Sequence, residues 1–171
     1  AALDVSQDEL VEDFMLARRR RLMRVIETSR KAYFVEDETS RMDLKDFISS
    51  LNQAFLAEFD EASSSFSTLF PNAEKSRDFF VRFTKESFAE YFAFVREVCA
   101  PHVEKTDIID ASKSLLNVKQ LMCAMGSMAA DLAAVHRSIP EAQLGDRAME
   151  TIEKSVRSRV NAAFVCLERD L

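Results

Sequence analysis

With 171 residues, 47% of them hydrophobic and 30% charged, the chain is long enough for one domain with a real core and ordinary enough in composition to fold. Its net charge of −6 argues against a nucleic-acid surface, which needs Lys and Arg clustered on a basic domain. Two glycines and three prolines leave too few corners for hairpins or sandwiches, so the chain is read as all-α, built from a few long helices.

The first helix is predicted from Ser6 to Tyr33. Ser6 and Glu9 form a Ser-x-x-Glu capping box, and Val11, Phe14, Met15, Leu22, Val25, Ile26 and Tyr33 recur at helical spacing. Arg18 to Arg21 interrupts the pattern with four successive cations. Steps of about 100° fan them round the helix, so they make no single flat basic patch. A salt-bridged, solvated face is the default reading; a lipid headgroup or an acidic partner is the sharper one.

After an acidic loop over residues 35–40, a second helix is expected from Asp43 to Leu69, with Phe47, Ile48, Leu51, Phe55, Phe59 and Phe66 on its buried face and Pro71 ending it. Ser63, Ser64 and Ser65 weaken its last turns. Asn72 is the candidate cap of a third helix reaching Cys99, the most aromatic stretch of the chain. Phe79, Phe80, Phe83, Phe88, Tyr91, Phe92 and Phe94 cover well over half its circumference, which places it at the centre of the domain.

A fourth helix is expected from Thr106 or Asp107 to His136, with Val118, Leu121, Met122, Met125, Met128 and Leu132 on one stripe and Gly126 as a weak point. Ser138-x-x-Glu141, with Pro140 between, reads as the capping box of a fifth helix carrying Ile152, Val156, Val160, Ala163 and Leu167. Five helices of this length are each about 40 Å long, and short connections make neighbours antiparallel. The predicted architecture is an elongated up-and-down bundle spanning residues 1–171 as one domain. The ends, Ala1 without a Met and Leu171 just past a helical run, read as boundaries inside a larger protein.

Chemistry is sought without success. The two glycines lie too far apart for a phosphate-cradling loop, and neither His102 nor His136 follows the Glu-x-x-His pattern of a di-iron bundle. Cys99, Cys123 and Cys166 are odd in number and widely spaced, which suits buried thiols rather than a disulfide framework or a zinc site. A Cys99–His102 pair is weighed against a core cysteine and a loop histidine, and the second reading is preferred. No catalytic residue, cofactor or metal is expected. No apolar run approaches the roughly 18–20 residues that span a bilayer. The Phe-rich faces are read as core, and so is the series Met122, Met125 and Met128, with an adaptable binding groove along it, Met122 and Met125 foremost, as the rival reading. Leu3, Val165 and Leu171, apolar and near the ends, are the candidates for contacts with neighbouring bundles.

Several segments, taken in order, resemble a known family. The opening helix reads Leu-Val-Glu-Asp-Phe-Met-Leu-Ala-Arg over 10–18; Asp46-Phe47-Ile48 starts a helix ending in Phe66-Ser67-Thr68-Leu69-Phe70. Phe79-Phe80-Val81-Arg82-Phe83 leads to Tyr91-Phe92-Ala93-Phe94-Val95-Arg96, and the last helix carries the run 148–160. This order is similar to the middle-to-C-terminal part of the Fat-free vacuolar protein sorting subunit. That family belongs to the Golgi-associated retrograde protein (GARP) and endosome-associated recycling protein (EARP) complexes, and related rods occur in the exocyst and the conserved oligomeric Golgi complex. The resemblance implies a non-catalytic helical rod of a vesicle tether in endosome-to-Golgi transport, peripheral at the trans-Golgi network and endosomes. Its implied partners are the other tether subunits, with SNAREs engaged through other parts of the parent protein. The alternative is a helical adaptor that holds a partner helix in a groove.

Overall fold

The structure is a computed structural model that describes residues 6–34, 42–71, 74–100 and 111–169. Those residues form five α-helices and one 3-10 turn, with no strand among them. The helices are α1 (Gln7–Tyr33), α2 (Leu44–Leu69), α3 (Glu74–Cys99), α4 (Ala111–Ser138) and α5 (Leu144–Arg169); the turn is Pro140–Ala142. Each helix has 26 to 28 residues, about 40 Å at the α-helical rise.

The first two helix starts follow local chemistry. At α1 the Ser6 hydroxyl accepts from the Glu9 amide at 3.2 Å, and the Glu9 carboxylate accepts from the Ser6 amide at 3.0 Å. Both otherwise unpaired amides are therefore satisfied. Asp43 caps α2 by accepting from the Lys45 amide at 2.8 Å. The serine-rich end of α2 does not fray. Ser67 and Thr68 donate back to the Ser63 and Ser64 carbonyls, at 3.0 and 2.9 Å, inside an unbroken helix. The Asn72 cap and the Thr106 start lie outside the described residues.

The junction between α4 and α5 departs from expectation. Ser138 does not cap α5: it is the last residue of α4, and its hydroxyl donates to the Ala134 carbonyl at 3.2 Å. Glu141 does not reach back to it, because the Arg77 guanidinium on α3 holds its carboxylate at 2.7 and 3.0 Å. Ile139, before the proline, is extended at φ −137 and buried, so α4 stops there. Gln143 adopts left-handed backbone at φ 53, and α5 starts at Leu144.

Helix directions alternate along the chain, as an up-and-down bundle requires. Phe14 meets Phe70 and Tyr33 meets Phe47, so α1 and α2 are antiparallel. Arg19 meets Glu86 and Arg30 meets Glu97, so α1 and α3 are parallel neighbours. Spatial order differs from chain order. Close packing joins α1 to α2, α2 to α4, α4 to α5, α5 to α3 and α3 to α1, a ring of five. Across that ring α2 and α3 are held apart by their own aromatic rings. Phe55 packs on Phe88 and Tyr91, Phe59 on Phe80, Phe83 and Phe88, and Phe47 edge-on to Phe94. This layer is the centre of a single contiguous core running through all five helices, with ring geometries that favour edge and offset contacts.

Candidate interaction surface

The arginine run turns inward to neighbouring helices. Arg18 donates to Glu61 at 2.7 Å and to the Ser65 hydroxyl at 2.8 Å, with its guanidinium 5.4 Å from the Phe14 ring centre. Arg21 meets the same Glu61 oxygen at 3.0 Å and Glu58 at 3.3 Å, while Arg19 pairs with Glu86 on α3 at 2.6 Å. Hydrogen bonds from Arg18 and Arg21 hold the Glu61 carboxyl below its ordinary range. Three of the four cations thus tie α1 to α2 and α3, and Arg20 is left exposed. The run joins helices; it is not an open lipid-facing patch. Spacing on one helix did not reveal this, because the carboxylates lie on other helices, up to 67 residues further along the chain.

The methionine series divides. Met125 and Met128 are each 1% exposed and belong to the core, whereas Met122 is 59% exposed. The reason is angular: each step of three residues turns the helix by about 300°, so the series drifts off the buried arc. An open groove along Met122 and Met125 is therefore absent, and Met125 is a core residue rather than a contact residue. Val165 stands exposed on α5, beside Phe164 at 61%. Leu3 and Leu171 lie outside the described residues. Sequence reasoning missed Phe164 and Met149, both exposed large side chains on α5. Periodicity gave no signal for Met149, which sits at helical spacing on the Ile152–Val156–Val160 stripe; the face of α5 that is actually buried is the neighbouring one of Leu144, Ala148, Thr151 and Ser155.

What remains on α4 is an unusual outer face. Met122, Cys123, Gly126, Ser127, Ala130, Ala133 and Ala134 are all exposed. A Cβ added at Gly126 would meet nothing within 4 Å, so the strip is open as well as low in relief. Between Lys119 and Arg137 its one charge is Asp131, at the edge toward α2, where it accepts from Asn52. Among the described residues α4 takes part in no salt bridge, while α1, α2, α3 and α5 all do. Small, uncharged side chains let a second helix approach closely at little desolvation cost.

Clefts also open between the described helices. One of 350 Å³ lies between α1 and α3 around Leu16 and Phe79; one of 590 Å³ opens at the bundle end beside Phe66, Phe70 and Ile139; one of 320 Å³ follows the α3–α5 seam. Among the described residues no three His, Cys, Asp or Glu side chains are grouped to hold a metal ion, and no helix is long and apolar enough to cross a membrane. Cys99 is buried beneath α5, and burial pushes its thiol up to about 12, with Arg159 and Ser155 pulling weakly the other way. That is the reverse of an activated nucleophile. His102 lies outside the described residues.

No family model, no curated protein and no solved structure matches this chain.

Proposed function

We propose that this bundle is a protein-interaction module of a multisubunit vesicle tether in endosome-to-Golgi retrograde transport, acting through helix-to-helix docking and not through catalysis. The observation that carries the reading is the outer face of α4, a strip from Met122 to Ala134, between about three and four turns long, without an ion pair among the described residues, on a chain that pairs its charges elsewhere. The order of helices and aromatic–Arg clusters noted in the sequence supports the choice of tether. Other rod subunits are the expected occupants of the strip, and the complex holds the chain peripherally at the trans-Golgi network and endosomes. The adaptor alternative needed an exposed strip along the Met122–Met128 face, and the burial of Met125 and Met128 removes its support.

The test is affinity capture of the full-length parent protein from cytosol, read by mass spectrometry, with Ala130→Arg alongside. The parent should recover the other helical-rod subunits together with Golgi or endosomal SNAREs. Ala130→Arg should lose the subunits, because it puts an unpaired cation in the middle of the strip. If the parent recovers no rod subunit, the tether reading fails. If the variant recovers them as well as the parent does, α4 is not the docking face.

A further inference from the structure

The α3–α5 seam differs from the rest of the surface in the sign of its charge. Its groove is lined by Ala89, Phe92 and Arg96 of α3 and by Arg147, Glu150, Thr151 and Lys154 of α5. Three cations thus face one carboxylate, on a chain whose net charge is −6. By contrast, the α1–α3 groove sets Arg19 and Arg82 against Glu12, Asp13 and Glu86.

The two guanidinium groups are held from behind. Arg96 donates to the Thr151 hydroxyl and Arg147 to the Lys85 main-chain carbonyl, each at 3.3 Å and each part-buried. Neither has a carboxylate in a salt bridge, so the rest of each donor fork lacks a protein acceptor among the described residues. Glu150 is bound by Lys154 at 2.6 Å. That hydrogen bond, with smaller contributions from Arg96 and Arg147, keeps its carboxyl below the ordinary range. The short side chain of Ala89 leaves space above buried Phe92, and the 320 Å³ opening sits at the small end of the about 300–1,000 Å³ usual for ligand clefts. Planar donor forks match the oxygens of a phosphoryl group, and a nearby ammonium adds a mobile point charge.

We propose that the α3–α5 groove binds a phosphate ester, with Arg96 and Arg147 gripping its oxygens and Lys154 exchanging Glu150 for the ligand. This goes beyond the docking role of α4 and does not depend on it. The phosphoryl group has two sources, a soluble phosphate ester or a phosphorylated lipid headgroup, and both present the same oxygens.

The full chain is titrated calorimetrically with inorganic pyrophosphate, and its flotation is measured with phosphatidylcholine vesicles that contain or lack a phosphatidylinositol phosphate. Pyrophosphate should bind, less tightly as salt rises. Arg96→Gln and Arg147→Gln should each weaken it about tenfold or more, the loss of a charge-assisted hydrogen bond, with helical circular dichroism unchanged. Glu150→Gln should tighten it, because the competing carboxylate is gone; a folding defect would move affinity the other way. Flotation only with the phosphorylated vesicles assigns the ligand to the lipid, and pyrophosphate binding without flotation assigns it to a soluble ester. Binding in neither arm, weakening by Glu150→Gln, or equal competition by a glutamate-rich peptide overturns the proposal.

Discussion

Tyr91 on α3 donates its phenol hydrogen to Asn52 Oδ1 on α2 at 3.0 Å, in the middle of an otherwise aromatic layer. The same amide passes a hydrogen to Asp131 of α4 at 2.5 Å, so one buried side chain links three helices. Asn52 is the polar residue around which α2, α3 and α4 take their register. A buried polar group is costly when its partner is removed and nearly neutral when both partners are replaced by apolar groups of similar shape. Tyr91→Phe should cost about 1 kcal/mol and Asn52→Leu about 1–3 kcal/mol, while the two combined should cost less than the single changes added. Urea unfolding midpoints of the four proteins check this; strict additivity would mean the contact carries no coupling.

The same layer fixes a response to alkaline pH. Burial raises the Tyr91 hydroxyl above its ordinary 10.0, helped by the nearby Asp131 charge, and raises the Cys99 thiol from 9.0 to about 12. Both groups stay protonated in the folded chain at pH values where the unfolded chain ionises. Their contribution is therefore complete below pH 9.0 and is lost as pH climbs through 9.0 toward 12. Each group that ionises only in the unfolded state adds a slope of about 1.4 kcal/mol per pH unit. Unfolding free energies measured across that window should fall, and Cys99→Ala should flatten the first part of the decline.

Exposure separates the cysteines. Cys123 lies open on α4 and Cys99 is fully buried, so the expectation that these thiols are core residues holds for Cys99 and fails for Cys123. In a Cys166→Ser background, a thiol reagent should modify Cys123 at once in the folded chain and reach Cys99 only as fast as the bundle opens. Mass mapping of the labelled sites at early and late times distinguishes the two. Rapid labelling of Cys99 would contradict its placement under α5.

How much of this was legible in the sequence depends on the range of the interaction. The Ser6–Glu9 box and the Phe88–Tyr91–Val95 face are properties of a few consecutive residues, and the chain reveals them directly. The Asn52 link was not legible. A polar side chain on an apolar stripe looks like a solvent position until Tyr91 and Asp131, 39 and 79 residues further on, are brought to it. The ring order of the helices was hidden for the same reason. Alternating directions follow from short loops, but the placement of α4 beside α2 comes from packing. The α3–α5 groove combines both cases: each cation is ordinary in its own helix, and only their meeting across the seam sets them apart.

The methionines supply a direct comparison between core and surface on one helix. Met125→Ala removes a fully buried side chain from the core and should cost about 2–5 kcal/mol. Met122→Ala, three residues earlier, should stay within about 0.5 kcal/mol. Chemical denaturation of both variants tests the division, and equal costs would restore the open-groove reading of this series.

Gly126 offers the opposite sign. It lies inside α4 with an exposed position and without positive φ, so an alanine adopts its backbone without strain. A Cβ there meets no heavy atom within 4 Å, so the added methyl neither clashes nor fills a cavity. The remaining effect is helix propensity, and Gly126→Ala should stabilise the isolated chain by about 0.8–1 kcal/mol. Thermal unfolding reads that gain. The same methyl projects into the strip proposed for a partner helix, where close approach favours the smallest side chain. Gly126→Ala should therefore raise the melting temperature of the chain while weakening its capture of rod subunits. A variant that gains stability and loses no partner would place the helix contact elsewhere on α4.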